Sequence, residues 1–102
     1  MTVSLQVLYP VTEATSFDHD YYATTHMALV GEHMGPHLTS THVVKGLAGG
    51  GEAPAGFYAI ATMNFADEAA MQAALAAGGP VLADISNYYN GQPEILVGTV
   101  IG

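Results

Sequence analysis

The chain has no cysteine, no tryptophan and a single basic residue, Lys45, against nine Asp and Glu, for a formal net charge of -8 over 102 residues. The missing thiols exclude a disulfide framework, a thiolate nucleophile and a thiolate metal site. The missing cations argue against DNA and RNA as partners, because nothing is available to displace counterions from phosphates. They also leave phosphorylated cofactors without Arg or Lys clamps, although backbone amides can hold a phosphate unaided. A ligand is therefore expected to be neutral or weakly charged, and the acidity to serve solubility. No apolar run approaches the roughly 20 residues that span a bilayer, and no basic-then-apolar leader opens the chain. The expectation is a cytoplasmic protein with no membrane partner.

Missing motifs narrow the chemistry further. The G-x-S-x-G of a nucleophile elbow does not occur. Gly49, Gly50 and Gly51 precede neither Gly-Lys-Ser/Thr nor a helix, so they read as a hairpin connection. No nicotinamide or flavin fingerprint is found elsewhere. Asp18 and Asp20 straddle a helix rather than face each other, which gives a paired-carboxylate mechanism little support. No cofactor is expected. Binding alone remains, or acid–base chemistry by histidine and tyrosine.

Half of the residues are hydrophobic, enough for one folded domain over residues 1–102. Val3, Leu5, Val7 and Tyr9 alternate with Ser4, Gln6 and Leu8, the period of a strand that Pro10 ends. A helix is expected over 17–34, opened by a capping box of Thr15 and Asp18 and closed by Gly35 and Pro36. A second strand covers roughly 38–47, and residues 49–56 turn the chain. In a third strand, 57–65, Phe57, Ala59, Ala61, Met63 and Phe65 share one face; Tyr58, Ile60, Thr62 and Asn64 share the other. Residues 66–79 form a second helix with Met71, Ala74 and Leu75 inward. A short helical turn within 80–90 points Val81, Leu82 and Ile85 inward, and 94–101 is the last strand. The order βαββαβ predicts an α+β fold, a ferredoxin-like sandwich of a four-stranded antiparallel sheet with both helices on one face. The first, third and last strands are apolar on both sides, so the open sheet face is expected to pair with a second copy in a homodimer.

At about 100° per residue, His19, Tyr22, His26, Val30 and His33 share one sector of the first helix. Leu29 flanks it on one side and Ala23, Met27 and Met34 on the other. A buried imidazole needs partners for both ring nitrogens; several on a core-facing side point to a cavity wall. Imidazole is also the natural proton carrier near neutral pH. His26, at the centre, is the candidate general base or acid, with Tyr22 and His33 as its catalytic companions. Leu29 and Val30 would contact an apolar organic ligand. Asn87, Tyr88 and Tyr89 would close one end of the pocket and orient an oxygen. The competing reading is a His26 that is only a satisfied core residue, with a tyrosine rim that only closes the core. His19, His26 and His33 stand two turns apart, about 10.5 Å along the axis, too far for one ion to take all three. No metal site is expected.

The segments LQVLYP, FDHDYYATTHMALV, FYAIATMNF, FADEAAMQAAL and LADISNYYN together resemble the EthD-like proteins of the dimeric α/β-barrel superfamily, over nearly the whole chain. The most specific part is the pair Tyr21-Tyr22, then His26, then Leu29-Val30. His26 matches the family's characteristic helix histidine, Tyr22 the aromatic before it, and Asp84 with Asn87 the D-x-x-N of its C-terminal segment. The family commonly has proline after the position of Met27; Ala28 stands there in this chain, which is expected to leave the helix smoother.

The resemblance implies a dimer of ferredoxin-like units forming a dimeric α/β barrel, with a ligand cavity in each. It implies no single reaction. The namesake is associated with bacterial degradation of an alkyl ether beside a cytochrome system, and wider relatives include polyketide cyclases, lactone isomerases, cofactor-free monooxygenases and haem enzymes. The expectations are cyclisation or isomerisation of a neutral apolar or aromatic compound through His26, non-catalytic binding in support of an oxidation system, or cofactor-free oxygenation of a phenolate or enolate. Haem held by an axial histidine is disfavoured, because its propionates would find no cations.

Overall fold

In the computed structural model, which describes residues Met1–Gly102, the alternation at the start of the chain becomes strand β1 (Val3–Pro10), buried and half-buried in strict succession. Helix α1 (19–33) opens at Asp18, whose carboxylate accepts from the Tyr21 amide at 3.0 Å. Asp18 is thus the cap itself, in place of the expected capping box. Thr15 instead ties the preceding loop, meeting Thr12 and the Tyr58 hydroxyl. The helix starts as an α turn (His19–Tyr21), widens into a π turn (Tyr22–His26) and resumes as α-helix (Met27–His33). A 3₁₀ turn (Gly35–His37) leads to β2 (Ser40–Lys45), followed by β3 (Phe57–Phe65). Helix α2 (Glu68–Ala77) is capped by Asp67, which accepts from the Ala70 amide at 2.8 Å. Helix α3 (Gly79–Asp84), with Pro80 in its first turn, runs into a 3₁₀ turn (Ile85–Asn87), and β4 (Glu94–Thr99) ends the fold.

The four strands form one antiparallel sheet in the order β2-β3-β1-β4. Strands β1 and β2 are both antiparallel to β3 and hence parallel to each other with β3 between them; β3 and β4 stand in the same relation across β1. Two split βαβ units interleaved in this way are the ferredoxin-like α+β sandwich. Leu5 is opposite Met63 on one side and Val97 on the other, so residues of the helix-covered face line up across three strands.

That face and the helices share the core, where Phe65 and Ala74 are completely buried and Tyr9 nearly so. Met71 and Ala74 of α2 and Val81 of α3 point inward as their spacing predicts, but Leu82 does not: it is 56% exposed. The opposite face carries Leu8 and Ile60, half-buried in the middle strands, and the exposed Val44 and Leu96 on the edges. No element of the chain covers it.

The alternation of β3 fails at one place. Leu8 pairs with Ile60 and Pro10 with Phe57, so two residues, Tyr58 and Ala59, stand opposite the single Tyr9. This bulge takes Tyr58 out of the face it would share with Ile60 and Thr62. Its ring stacks on Phe17 at 5.5 Å and 16°, and it joins the aromatic cluster around Tyr9. No helix is long and apolar enough to cross a membrane.

Candidate functional site

The π turn decides which side chains α1 presents. In regular α-helix a four-residue spacing drifts by about 40° per step. A π turn closes i→i+5 and so rotates less per residue, which offsets part of that drift. Tyr22, His26, Val30 and Met34, each four apart, are accordingly the buried residues along this segment. His33 falls to the edge, its side chain 30% exposed and its Nε2 4.0 Å from Glu32. Ala28, where the family commonly has proline, stands in the regular α-helical part, Met27–His33, and the irregular turn lies before it.

His26 lies in a chain of hydrogen bonds. Its Nδ1 is 3.0 Å from Asp84 Oδ2, and its Nε2 is 3.2 Å from the Tyr88 hydroxyl. The Tyr88 hydroxyl in turn is 2.7 Å from that of Tyr9. The other oxygen of Asp84, Oδ1, accepts from the Tyr21 hydroxyl at 2.6 Å and from the Asn87 amide at 2.9 Å. Tyr22 stacks on the imidazole, ring centres 5.1 Å apart and planes at 24°.

Burial lowers the pKa of His26 by more than the Asp84 carboxylate raises it, so the imidazole is neutral near pH 7. Burial raises that of Asp84, but the bonds donated by Tyr21, Asn87 and His26 outweigh it and leave the group below the usual carboxylate range. The pair is thus carboxylate and neutral imidazole, with Nδ1–H donating to Asp84. Burial, followed by neighbouring oxygens, raises the Tyr22 and Tyr88 hydroxyls well above their ordinary value, so both stay protonated.

Beside His26, between helices and sheet, is a cavity of about 300 Å³. Leu5, Val7, Val30, Met34, Met63 and Val81 are among its walls, and the polar side chains on them are those of His26, Tyr9 and Tyr22. At its rim Val43, Leu82, Ile95 and Val97 are between 37% and 56% exposed. The wall carries no basic side chain for haem propionates, and no three His, Asp or Glu side chains converge as metal ligands.

Of the residues the sequence singles out, Tyr22, His26 and Val30 line this cavity together. Tyr88 and Asn87 stand behind His26, one on Nε2 and one on Asp84. Tyr89 packs in the aromatic cluster and donates its hydroxyl to the Pro10 carbonyl at 2.7 Å. Leu29 packs against the core without lining the cavity, and His33 lies outside it. Three participants were not anticipated in these roles. Tyr9 reads as a core strand residue, and Tyr21 and Asp84 only match family motifs. The partner of a ring nitrogen 58 residues away leaves no trace in periodicity.

The family model for the EthD domain matches residues 12–91. Among solved structures, the chain is similar to an EthD-like protein from Ralstonia eutropha JMP134, with 33% identity, a TM-score of 0.90 and coverage of 99% of this chain and 93% of that one. An ethyl tert-butyl ether D (EthD) family protein from Bacillus halodurans C-125 shares 22% identity at a TM-score of 0.79, over 99% of this chain and all of that one. SnoaB, a cofactor-independent oxygenase from Streptomyces nogalater, shares the fold at 16% identity and a TM-score of 0.65, over 97% and 92% of the two chains. No curated protein matches the sequence. A domain match across most of the chain, and a 33%-identical structure superposing over nearly all of it, agree with the residues around His26: the chain belongs to the EthD family.

Proposed function

We propose that this protein binds a neutral, largely apolar organic molecule in the cavity beside His26 and moves a proton on it, as a cyclisation or isomerisation requires. The observation that carries this reading is the position of an Asp-held neutral imidazole on the wall of a largely apolar cavity. A general base wants a fixed orientation and a neutral resting state, and Asp84 supplies the first while burial supplies the second. With Asp84 ionised, a proton gained at Nε2 would leave an imidazolium beside a carboxylate.

Deuterium uptake from D₂O at C3 of nonane-2,4-dione, a neutral alkyl diketone, isolates proton transfer from any later step. The wild type is expected to accelerate it, and His26→Gln to lose roughly a hundredfold or more of that acceleration. Equal exchange by the two proteins would remove His26 from the chemistry.

A second reading is a carrier that binds without converting. It is favoured by the fact that both His26 nitrogens already have protein partners. Tight binding of the diketone with no enhanced exchange would select it.

The assembly proposed is a homodimer through the open sheet face, closing the α/β barrel. Its support is the apolar band of Leu8, Ile60, Val44 and Leu96, which the chain leaves uncovered. In sedimentation at micromolar concentration the wild type is expected as a dimer and Ile60→Lys as a monomer. A monomeric wild type would overturn the assembly without touching the cavity.

A further inference from the structure

The hydrogen bonds running out of Asp84 allow only one arrangement of protons. An ionised carboxylate can only accept, so His26 donates from Nδ1 and its Nε2 must accept. The Tyr88 hydroxyl, 3.2 Å away, therefore spends its one proton on His26. Its oxygen then accepts from Tyr9 at 2.7 Å, which spends the Tyr9 proton as well. The end of the chain at the cavity, the Tyr9 oxygen, is left with lone pairs and nothing to donate. Tyr22 does not change this sign. Its ring packs edge-on against that of Tyr9 and it too lines the cavity; even when its hydroxyl donates to Tyr9, the Tyr9 oxygen keeps a second lone pair, and the chain from His26 still ends there on an acceptor. Tyr88 does not line the cavity, whereas Tyr9 does, so a bound molecule meets Tyr9 before it can meet the lone pair of Nε2.

We propose that the ligand carries a hydroxyl, as an enol, phenol or alcohol, that donates to Tyr9, and that Tyr9 is the catalytic residue through which His26 takes the proton. The proton leaves the ligand oxygen for Tyr9, the Tyr9 proton passes to Tyr88, and the Tyr88 proton passes to Nε2. Three O–H bonds break while two O–H bonds and one N–H bond form. The ligand is left as the oxyanion and His26 as the imidazolium against Asp84. This rests on the cavity being the ligand site, as proposed above. Asp84 is a positioning residue that sets the direction of the whole chain from its far end.

Because Tyr21 and Asn87 both donate to Oδ1, Asp84→Asn is expected to keep its carbonyl oxygen there and to turn its NH₂ toward His26. Nδ1 then accepts, Nε2 carries the proton, and every link reverses, so that Tyr9 donates to the ligand. The probes are 4-butylphenol, which can donate, and 4-butylanisole, which can only accept, each titrated by calorimetry. The wild type is expected to bind the phenol roughly tenfold tighter, the worth of one buried hydrogen bond. Tyr9→Phe should bring the two probes to parity. Asp84→Asn should reverse the order.

A preference for the phenol that survives both Tyr9→Phe and Asp84→Asn would overturn the proposal while leaving the cavity reading intact. Failure of the wild type to bind either probe would bring down both. Should Asp84→Asn not fold, Tyr88→Phe cuts the chain between Tyr9 and His26. It is expected to abolish the preference by freeing the Tyr9 proton, and retention of the tenfold ratio would count against the relay.

Discussion

The space between helices and sheet is filled in two different ways. Around Tyr9 it is packed with rings: Tyr9 meets Phe17, Tyr22, Tyr88 and Tyr89 edge-on at centroid distances of 5.1 to 5.8 Å. The hydroxyls of this end are tied down, Tyr58 to the Thr15 carbonyl and Tyr89 to the Pro10 carbonyl, each at 2.7 Å. The other end, under the same helices and on the same sheet face, holds aliphatic and thioether side chains that leave about 300 Å³ empty. Hydrogen-bonded rings fix positions, whereas Met27, Met34 and Met63 form a wall that can adapt to what it encloses. His26 stands where the two meet, held by the rigid end and facing the adaptable one. A site needs both properties, and here they are separated along one layer.

The difference is expected to show most strongly in truncations. Tyr88→Ala removes a buried ring, opens a cavity and strips His26 and Tyr9 of a partner, for a loss of about 4 kcal/mol. Met34→Ala removes a side chain that is as deeply buried but borders space that is already empty, so fewer contacts are lost. About 2 kcal/mol is expected there. Urea denaturation of the two variants checks this, and equal losses would erase the distinction between the ends.

Much of the fold is legible in the sequence, and the legible parts share a cause. Alternation in β1, the inward residues Met71 and Ala74 of α2, and the order of elements all follow from burial of one face of a regular element. Where the backbone leaves regularity, the reading fails. The bulge opposite Tyr9 redirects Tyr58, and the π turn exchanges His33 for Met34 on the buried stripe. Neither has a composition signal of its own, since each is stabilised by packing against residues distant in sequence. The site is legible in its centre, His26 and Tyr22, because a titratable ring on an apolar stripe is conspicuous. Its support is less so: Tyr21 and Asp84 stand in segments that resemble the family, but no spacing ties either to His26, and Tyr9 looks like an ordinary core residue until the chain is folded.

Adding volume sharpens the same comparison with effects of opposite sign. A methyl group on Gly91 would lie 2.6 Å from Tyr89 Cζ and 2.8 Å from Thr15 Cγ2, both held in place by hydrogen bonds. Gly91→Ala is expected to destabilise by about 2 kcal/mol. Ala61, more deeply buried but on the cavity wall, has room to grow. Ala61→Val should be neutral or stabilise by up to about 1 kcal/mol through the two carbons it adds. Thermal denaturation reads both, and a loss at Ala61 matching that at Gly91 would mean that the cavity end is as tightly packed as the aromatic one.

The smallest effect expected is a pH dependence that belongs to the boundary between the ends. Burial holds the pKa of His26 below its ordinary 6.5. As pH falls below that value the unfolded chain takes up a proton that the folded chain still refuses, and stability falls. Asp84, held below its ordinary 3.8, adds a second loss of the same sign as pH drops through that lower range. In both windows the unfolded state binds more protons, so stability rises with pH throughout. His26→Gln should flatten the slope just below pH 6.5 and leave the lower one. Some slope remains from His19, whose pKa is lowered by burial and by Lys45; it adds less because it is more exposed. Ala61→Val, at the aliphatic end, should shift the whole curve without bending it. Melting temperatures from about pH 2.5 to 7.5 cover both windows. An unchanged slope in His26→Gln would show that the imidazole is not the buried neutral group that ties the two ends together.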